Sequence, residues 1–373
     1  MSKLIEAPAP WPEAFDGEII HPELYLWDAW GFSVADELHL YCLAVPKKAI
    51  DGSPVAASQR NNYPFHVRHF YSENLGKTWL DKGVFQQPNN ASDGHDARNV
   101  WSGSVLPLSD GRLAVAYTGI RERGKEKPFV QNLAIGIADS AQTMGDKSGK
   151  VLFCPELHEA SLRAAGYFFA EKDKIGLAGG ENNGPITAWR DPFLIADTLD
   201  EKQPYKLVWA AKKSATQCAF GAASINLSNE DISATQLFGP TTLPDDDEFT
   251  QLELPQIYVD ELNKRYVLIA ATTTRTSEAQ SESEVDKRIR LYTAPSLTGP
   301  WQKAGTQTSE VDGLESLFGM TVLKADFEND TLYCMAPYTE ATAPEQILSF
   351  APIVKIDLNE IGRLQKISAK PVY

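Results

Sequence analysis

The feature that most narrows the fold is a period of two. Apolar and polar residues alternate in short runs along the chain, as at residues 37–43, 112–117 and 265–270. Successive side chains of a strand point to opposite faces, so runs of this kind form half-buried strands. Turn residues punctuate them: Asn74-Leu75-Gly76, Ser109-Asp110-Gly111, and the stretch from Ser296 to Pro300. Sustained helical periodicity is nearly absent. Residues 156–165 suggest one short helix, inside a Gly-, Lys- and Glu-rich stretch (145–184) that reads as an insertion on the rim. The strand runs gather into five groups, at 24–85, 100–153, 187–225, 252–301 and 318–356. Each holds three or four strands, and the groups recur at about 75 residues, the pattern of a blade repeated around an axis. The expectation is an all-β chain: a single five-bladed β-propeller over residues 21–373, with a central funnel-shaped site, preceded by a leader segment (1–20) lying across the surface.

Charge restricts the partners. The 50 acidic residues outnumber the 35 basic ones, for a formal charge of −15. A phosphate backbone needs a basic stripe, and an anionic membrane surface repels such a chain, so neither nucleic acid nor membrane is expected as a partner. A small neutral carbohydrate is compatible. The four cysteines, Cys42, Cys154, Cys218 and Cys334, form no CxxC pair and lie in or beside apolar runs, which predicts buried free thiols. No apolar run approaches the ~20 residues that span a bilayer. The first residues show no signal-peptide core, so a cytoplasmic location is expected, with leaderless export the alternative.

Residues 72–79, Ser-Glu-Asn-Leu-Gly-Lys-Thr-Trp, resemble the S-x-D-x-G-x-T-W hairpin turn of sialidase-type propellers, with Asn74 in the aspartate place. That turn is structural. A sialidase would need several copies, an arginine triad and a tyrosine nucleophile.

Four short segments carry unusual chemistry: Trp27-Asp28-Ala29-Trp30, Trp101-Ser102-Gly103-Ser104, Trp189-Arg190-Asp191-Pro192-Phe193, and Gln251-Leu252-Glu253-Leu254-Pro255-Gln256. Singly, each has an ordinary structural reading: a turn cap between core tryptophans, a hydroxyl satisfying backbone, an ion pair, a solvated strand residue. Their spacing changes the reading. Asp28, Ser102, Asp191 and Glu253 fall near the starts of groups one to four. The first strand of a blade lines the axis, so equivalent starts converge on one mouth of the funnel. Converging carboxylates suit glycoside cleavage, where one must be ionised and another must deliver a proton. Glu253, among Leu252, Leu254 and Pro255, has surroundings that raise a carboxyl pKa, whereas Asp28 facing Arg190 is expected to stay ionised.

In that order, the segments resemble glycoside hydrolase family 68, the levansucrases, inulosucrases and related β-fructofuranosidases, with motif logic shared by the invertase family 32. The resemblance runs from about residue 24 to about 352. It implies Asp28 as nucleophile, Ser102 as the serine that positions it, Asp191 as transition-state stabiliser and Glu253 as general acid/base. It implies substrate contacts from Trp27, Trp101, Arg190, Gln251 and Arg275, no cofactor, and sucrose or a related β-fructoside as substrate. Retention requires the Asp28 and Glu253 carboxyls ~5–5.5 Å apart. Two positions depart from the family pattern: Leu254 stands where an arginine often follows the acid/base, and Gln251 where many levansucrases carry a carboxylate. Both changes lean the expected activity toward hydrolysis or short oligosaccharides. The usual sugar-contacting tyrosine is not placed near Leu317-Phe318-Gly319.

Other signals are weaker. His66, His69 and His95 have no matching metal-ligand set. Asp245-Asp246-Asp247-Glu248 is expected to be a solvated loop, with a structural calcium as the alternative. Two competing functions stay open at this point: an inverting arabinan- or xylan-directed enzyme, with carboxyls ~6.5–9.5 Å apart, and a non-catalytic carbohydrate-binding propeller.

Overall fold

The computed structural model describes residues 6–89, 94–145, 149–177, 186–228, 231–277, 280–339 and 343–373. Five antiparallel sheets form five blades, each a meander starting at its innermost strand. Blade I runs Leu24–Val34, Glu37–Pro46, His66–Ser72 and Thr78–Gln86, with Phe15–Asp16 added at its outer edge. Blade II comprises Asn99–Pro107, Leu113–Arg121, Val130–Ala138 and Lys150–Phe153. Blade III comprises Arg190–Ala196, Tyr205–Lys212, Cys218–Leu227 and Ile232–Leu237. Blade IV comprises Gln251–Asp260, Arg265–Thr273, Lys287–Ala294 and Gln302–Lys303. Blade V comprises Thr321–Asp326, Thr331–Met335, Val354–Asp357 and Ile367–Pro371, the last paired in parallel with Val311–Asp312. The five inner strands touch one another in sequence and the fifth returns to the first, closing the ring. Main-chain bonds fasten the closure: Leu26 N–H donates to Leu348 O at 2.7 Å, and Ile19 and Phe350 exchange two bonds.

The apolar core is divided among the five seams between blades. Period-two strands supply it directly, since each blade buries one face against each neighbour. The residues of the short 156–165 stretch form a helix at Glu159–Ala164. The stretch 145–184 is not wholly an insertion, because Lys150–Phe153 completes blade II; residues 146–148 and 178–184 of it lie outside the described residues. The 72–79 turn forms as expected. Ser72 Oγ accepts from Gly76 N–H at 2.8 Å, Asn74 Oδ1 accepts from Thr78 N–H at 2.9 Å, and Trp79 is fully buried. All four cysteines are buried and free. No helix among the described residues is long and apolar enough to cross a membrane.

Every inner strand carries a β-bulge. One extra residue interrupts the pairing at Trp27/Ala29, Trp101/Gly103, Arg190/Phe193, Glu253/Gln256 and Val322/Lys324. A bulge twists its strand and re-aims a side chain. In blades III and IV a proline sits inside the gap, Pro192 and Pro255, and its missing N–H suits a broken ladder. In blade II the bulge draws the strand so close to its neighbour that a Cβ on Gly103 would lie 2.0 Å from Ala116 O, which excludes any other residue there.

Blade I also holds a fully buried ion pair. Arg68 grips Asp81 through two bonds, of 2.8 and 2.6 Å, and its remaining N–H groups bind the carbonyls of Pro8 and Ala9. Asp81 also accepts from Trp11 N–H at 2.8 Å. Against the upward push of burial, hydrogen bonds from His21 and Arg68 hold the Asp81 carboxyl well below the usual range. The pair thus ties residues 8–11 to blade I. Removing one partner strands a buried charge, so Arg68→Leu is expected to lower unfolding stability by about 3–5 kcal/mol. Urea titration monitored by tryptophan fluorescence checks it.

Candidate functional site

The bulges bring the predicted carboxylates to one mouth of the ring. Asp28 is the extra residue of blade I and has φ +36°. Asp191 lies in the blade III bulge at φ +58°, and Leu254, next to Glu253, in the blade IV bulge at φ +49°. Non-glycine residues in the left-handed region cost on the order of 1–3 kcal/mol each and persist only where neighbours fix them. Here the neighbours are one another. Ser102 Oγ, from the blade II bulge, donates to Asp28 Oδ2 at 2.7 Å. Thr118, on the second strand of blade II, donates to the Ser102 carbonyl at 3.3 Å and accepts from Asp191 N–H at 3.0 Å. Asp191 Oδ2 accepts from Leu254 N–H at 3.1 Å. From blade I to blade IV, four successive bulges are joined through hydrogen bonds.

Cations balance the carboxylates. The Arg190 guanidinium is 3.6 Å from Glu253 Oε1 and acts electrostatically on all three acids. Arg60 lies 5.5 Å over the Trp27 ring and within electrostatic reach of Asp28. Arg275 and Lys287 act on Glu253. Burial nevertheless wins at each acid. It raises Asp28 despite the Ser102 hydrogen bond and the charges of Arg60 and Arg190, so the nearby arginines do not fully offset burial. Burial also raises Glu253, against Arg190 and with help from the Asp28 charge. It pushes Asp191 up to about 7, opposed by Arg190 and reinforced by Asp28 and Glu253. Asp191 is buried, whereas Asp28 and Glu253 are half-buried, with 24% of the Glu253 side chain reaching solvent. Glu253 can therefore exchange a proton with water.

Four residues expected to contact substrate have the following surroundings. Trp27 is buried in the blade I–II seam, edge-on to Phe65 and covered by Arg60. Gln251 is fully buried, and its amide donates to the Arg275 carbonyl at 3.2 Å, so it supports Arg275 from beneath. Thr250 Oγ1 donates to the same carbonyl at 2.6 Å. Arg275 itself is 9% exposed and donates to Gln280 O. Trp101 is half-buried against Phe129. The sequence reading missed Arg60, Thr118 and Gly319. Gly319 has φ +71°, and a Cβ on it would meet Leu254 Cδ1 at 3.2 Å and Asp28 Oδ1 at 3.6 Å, so glycine admits both groups beneath the site. The glycine itself, in Leu317-Phe318-Gly319, was the one sequence signal available.

The acidic run is not wholly solvated. Asp245 is 1% exposed and accepts from Arg290 at 2.9 Å, from Tyr292 OH at 2.8 Å and from Ser309, so a guanidinium fills the place considered for calcium. Among the described residues, no group of three or more His, Cys, Asp or Glu is arranged to hold a metal ion. His69 pairs with His39 at 3.0 Å inside an aromatic stack.

No family model matches the chain. It is 21% identical to the levansucrase of Bacillus amyloliquefaciens, over 75% of this chain and 65% of that enzyme, and so spans less than two thirds of that relative. Among solved structures, the inulosucrase from Halalkalicoccus jeotgali bound to kestose superposes with a TM-score of 0.63 at 18% identity, covering 100% of this chain and 92% of that one. Bacillus subtilis levansucrase superposes with a TM-score of 0.62 at 17% identity, covering 95% and 88%. The shared fold is the five-bladed propeller.

The raised Asp191 pKa sets a stability prediction. Between about pH 4 and 7 the folded carboxyl holds a proton that the unfolded one has released, so this group makes stability fall as pH rises through that window. Asp191→Asn removes the penalty, worth up to about 4 kcal/mol at 1.36 kcal/mol per pKa unit. The variant is expected to be more stable than the parent at about pH 8 and to lose that advantage near the unfolded pKa of ~3.9. Thermal unfolding across pH checks it.

Proposed function

We propose that this chain, a relative of the levansucrases and inulosucrases, is a retaining glycosidase or fructosyltransferase that cleaves sucrose or a related β-fructoside through a fructosyl-enzyme intermediate. The observation that carries the reading is the Ser102–Asp28 hydrogen bond beside Asp191 and Glu253, which orients one carboxylate within a set of three. Asp28 is the extra residue of its bulge, and the Ser102 hydroxyl holds one carboxylate oxygen, leaving the other to attack the anomeric carbon. Glu253, partly open to solvent, protonates the departing sugar oxygen and next takes a proton from water or an acceptor hydroxyl. Asp191 accepts hydrogen bonds from the fructosyl hydroxyls as oxocarbenium character develops, and Arg190 balances the charge. The kestose bound to the inulosucrase neighbour supports a small sugar as ligand. Leu254, buried against Gly319, brings no guanidinium to the acceptor side, which favours water or a short acceptor over a growing polymer.

Incubation with sucrose, following glucose and fructose separately, tests the reading. Equal release is expected, or glucose in modest excess. Asp28→Ala and Glu253→Gln are each expected to lower kcat by at least about 10²–10⁴-fold, the range of a lost acid/base contribution. Wild-type turnover by Asp28→Ala would sink the nucleophile assignment. No release from sucrose or any other fructoside would move the reading to the inverting or binding-only alternatives.

A further inference from the structure

The inner strand of blade III faces blade II with main-chain N–H groups that its own sheet does not take up around the bulge. Three blade II side chains meet them. Gln131 Oε1 accepts from Trp189 N–H at 3.1 Å, Thr118 Oγ1 from Asp191 N–H at 3.0 Å, and Ser104 Oγ from Leu194 N–H at 2.9 Å. Of these, only Thr118 touches the strained residue itself, and only Thr118 also holds the carbonyl of Ser102. A hydroxyl can accept and donate at once, and this one does both while fully buried. It therefore fixes, from one atom, the backbone of the residue that orients Asp28 and the backbone of Asp191.

We propose that Thr118 is a positioning residue for the reaction, setting the placement of the Asp191 carboxylate relative to Asp28. The inference rests on the proposed fructosidase reading and extends it to a residue in none of the four motifs. Asp191 at φ +58° has no local preference for its conformation. Its carboxylate reaches Leu254 N–H only while its main chain stays seated, and Thr118 is the seat on the blade II side. Displacement by about 1 Å costs on the order of 10²-fold in rate even when the reacting groups are unchanged.

Thr118→Val keeps the shape and deletes both hydrogen bonds; Thr118→Ser keeps the oxygen and deletes the methyl. Ser104→Ala removes a comparable buried seam bond three residues from Asp191 and serves as the control. Thr118→Val is expected to lower kcat about 10–100-fold with KM nearly unchanged, Thr118→Ser to stay within a few-fold of wild type, and Ser104→Ala to lower the melting temperature without lowering kcat. A crystal structure of Thr118→Val is expected to show the Asp191 carboxylate withdrawn from Leu254 N–H. Wild-type kcat in folded Thr118→Val overturns the inference, as does an equal kcat loss in Ser104→Ala. If Thr118→Val does not fold, a folded Thr118→Ser with strongly reduced kcat overturns it, and retention of kcat supports it. Should the wild-type protein cleave no fructoside, the functional reading falls, while an unmoved Asp191 in the Thr118→Val crystal structure would separately overturn the positioning inference.

Discussion

A ring of inner strands has to break its own hydrogen-bond ladders to aim side chains along the axis, and the rest of this molecule is arranged around how those breaks are held. Each bulge leaves backbone groups without ladder partners in a place that water reaches poorly. Such groups cost on the order of 1–3 kcal/mol each if left unpaired. Side chains satisfy them: Thr118 Oγ1 accepts from Asp191 N–H and donates to the Ser102 carbonyl, and the Asp191 carboxylate accepts from Leu254 N–H, while the Ser102 hydroxyl donates to the Asp28 carboxylate. The positive backbone angles at Asp28, Asp191 and Leu254 are thereby fixed by neighbouring blades, not by local sequence preference. The geometry of the site is thus held by contacts that run from blade I to blade IV.

The seams make that arrangement rigid and also charge-averse. Five apolar clusters fill the spaces between blades and squeeze water from the mouth-side acids. Burial raises all three carboxyls, most plainly Asp191, which it pushes up to about 7. Arg190, Arg60 and Arg275 limit the penalty without abolishing it. Strained backbone and raised carboxyl pKa values at this mouth carry a cost that falls on stability. The Arg68–Asp81 pair and the closure bonds at Ile19, Leu26 and Phe350 hold the scaffold.

Much of this was legible in the chain. Period-two runs located the five blades because seam-facing residues must alternate with their neighbours, and the mouth-side starts of blades one to four carried Asp28, Ser102, Asp191 and Glu253. The outer strands were less visible. Ile232–Leu237 is largely exposed and polar, and Lys150–Phe153 is short, so neither writes a strong alternation. The bulges left a trace only where Pro192 and Pro255 mark them. Thr118 looked like any strand threonine, and Arg60 sits on a short turn of 3-10 helix with no motif around it. Sugar contacts from Gln251 and Trp27 were what the family resemblance implied. Strand alternation and seam packing sent them elsewhere, one beneath Arg275 and the other against Phe65. Asp245 seemed one of four solvated acids, and its burial follows from Arg290, which lies 45 residues away in sequence.

The most direct measurement is to quench the enzyme with acid during sucrose turnover and map covalent adducts by peptide mass spectrometry. One fructosyl unit esterified to Asp28 is the expected result, with the adduct missing from Asp28→Ala and the released fructose retaining its anomeric configuration. Turnover with inversion and no adduct, or an adduct on Asp191 or Glu253, would contradict the assignment of the bulged Asp28 as nucleophile.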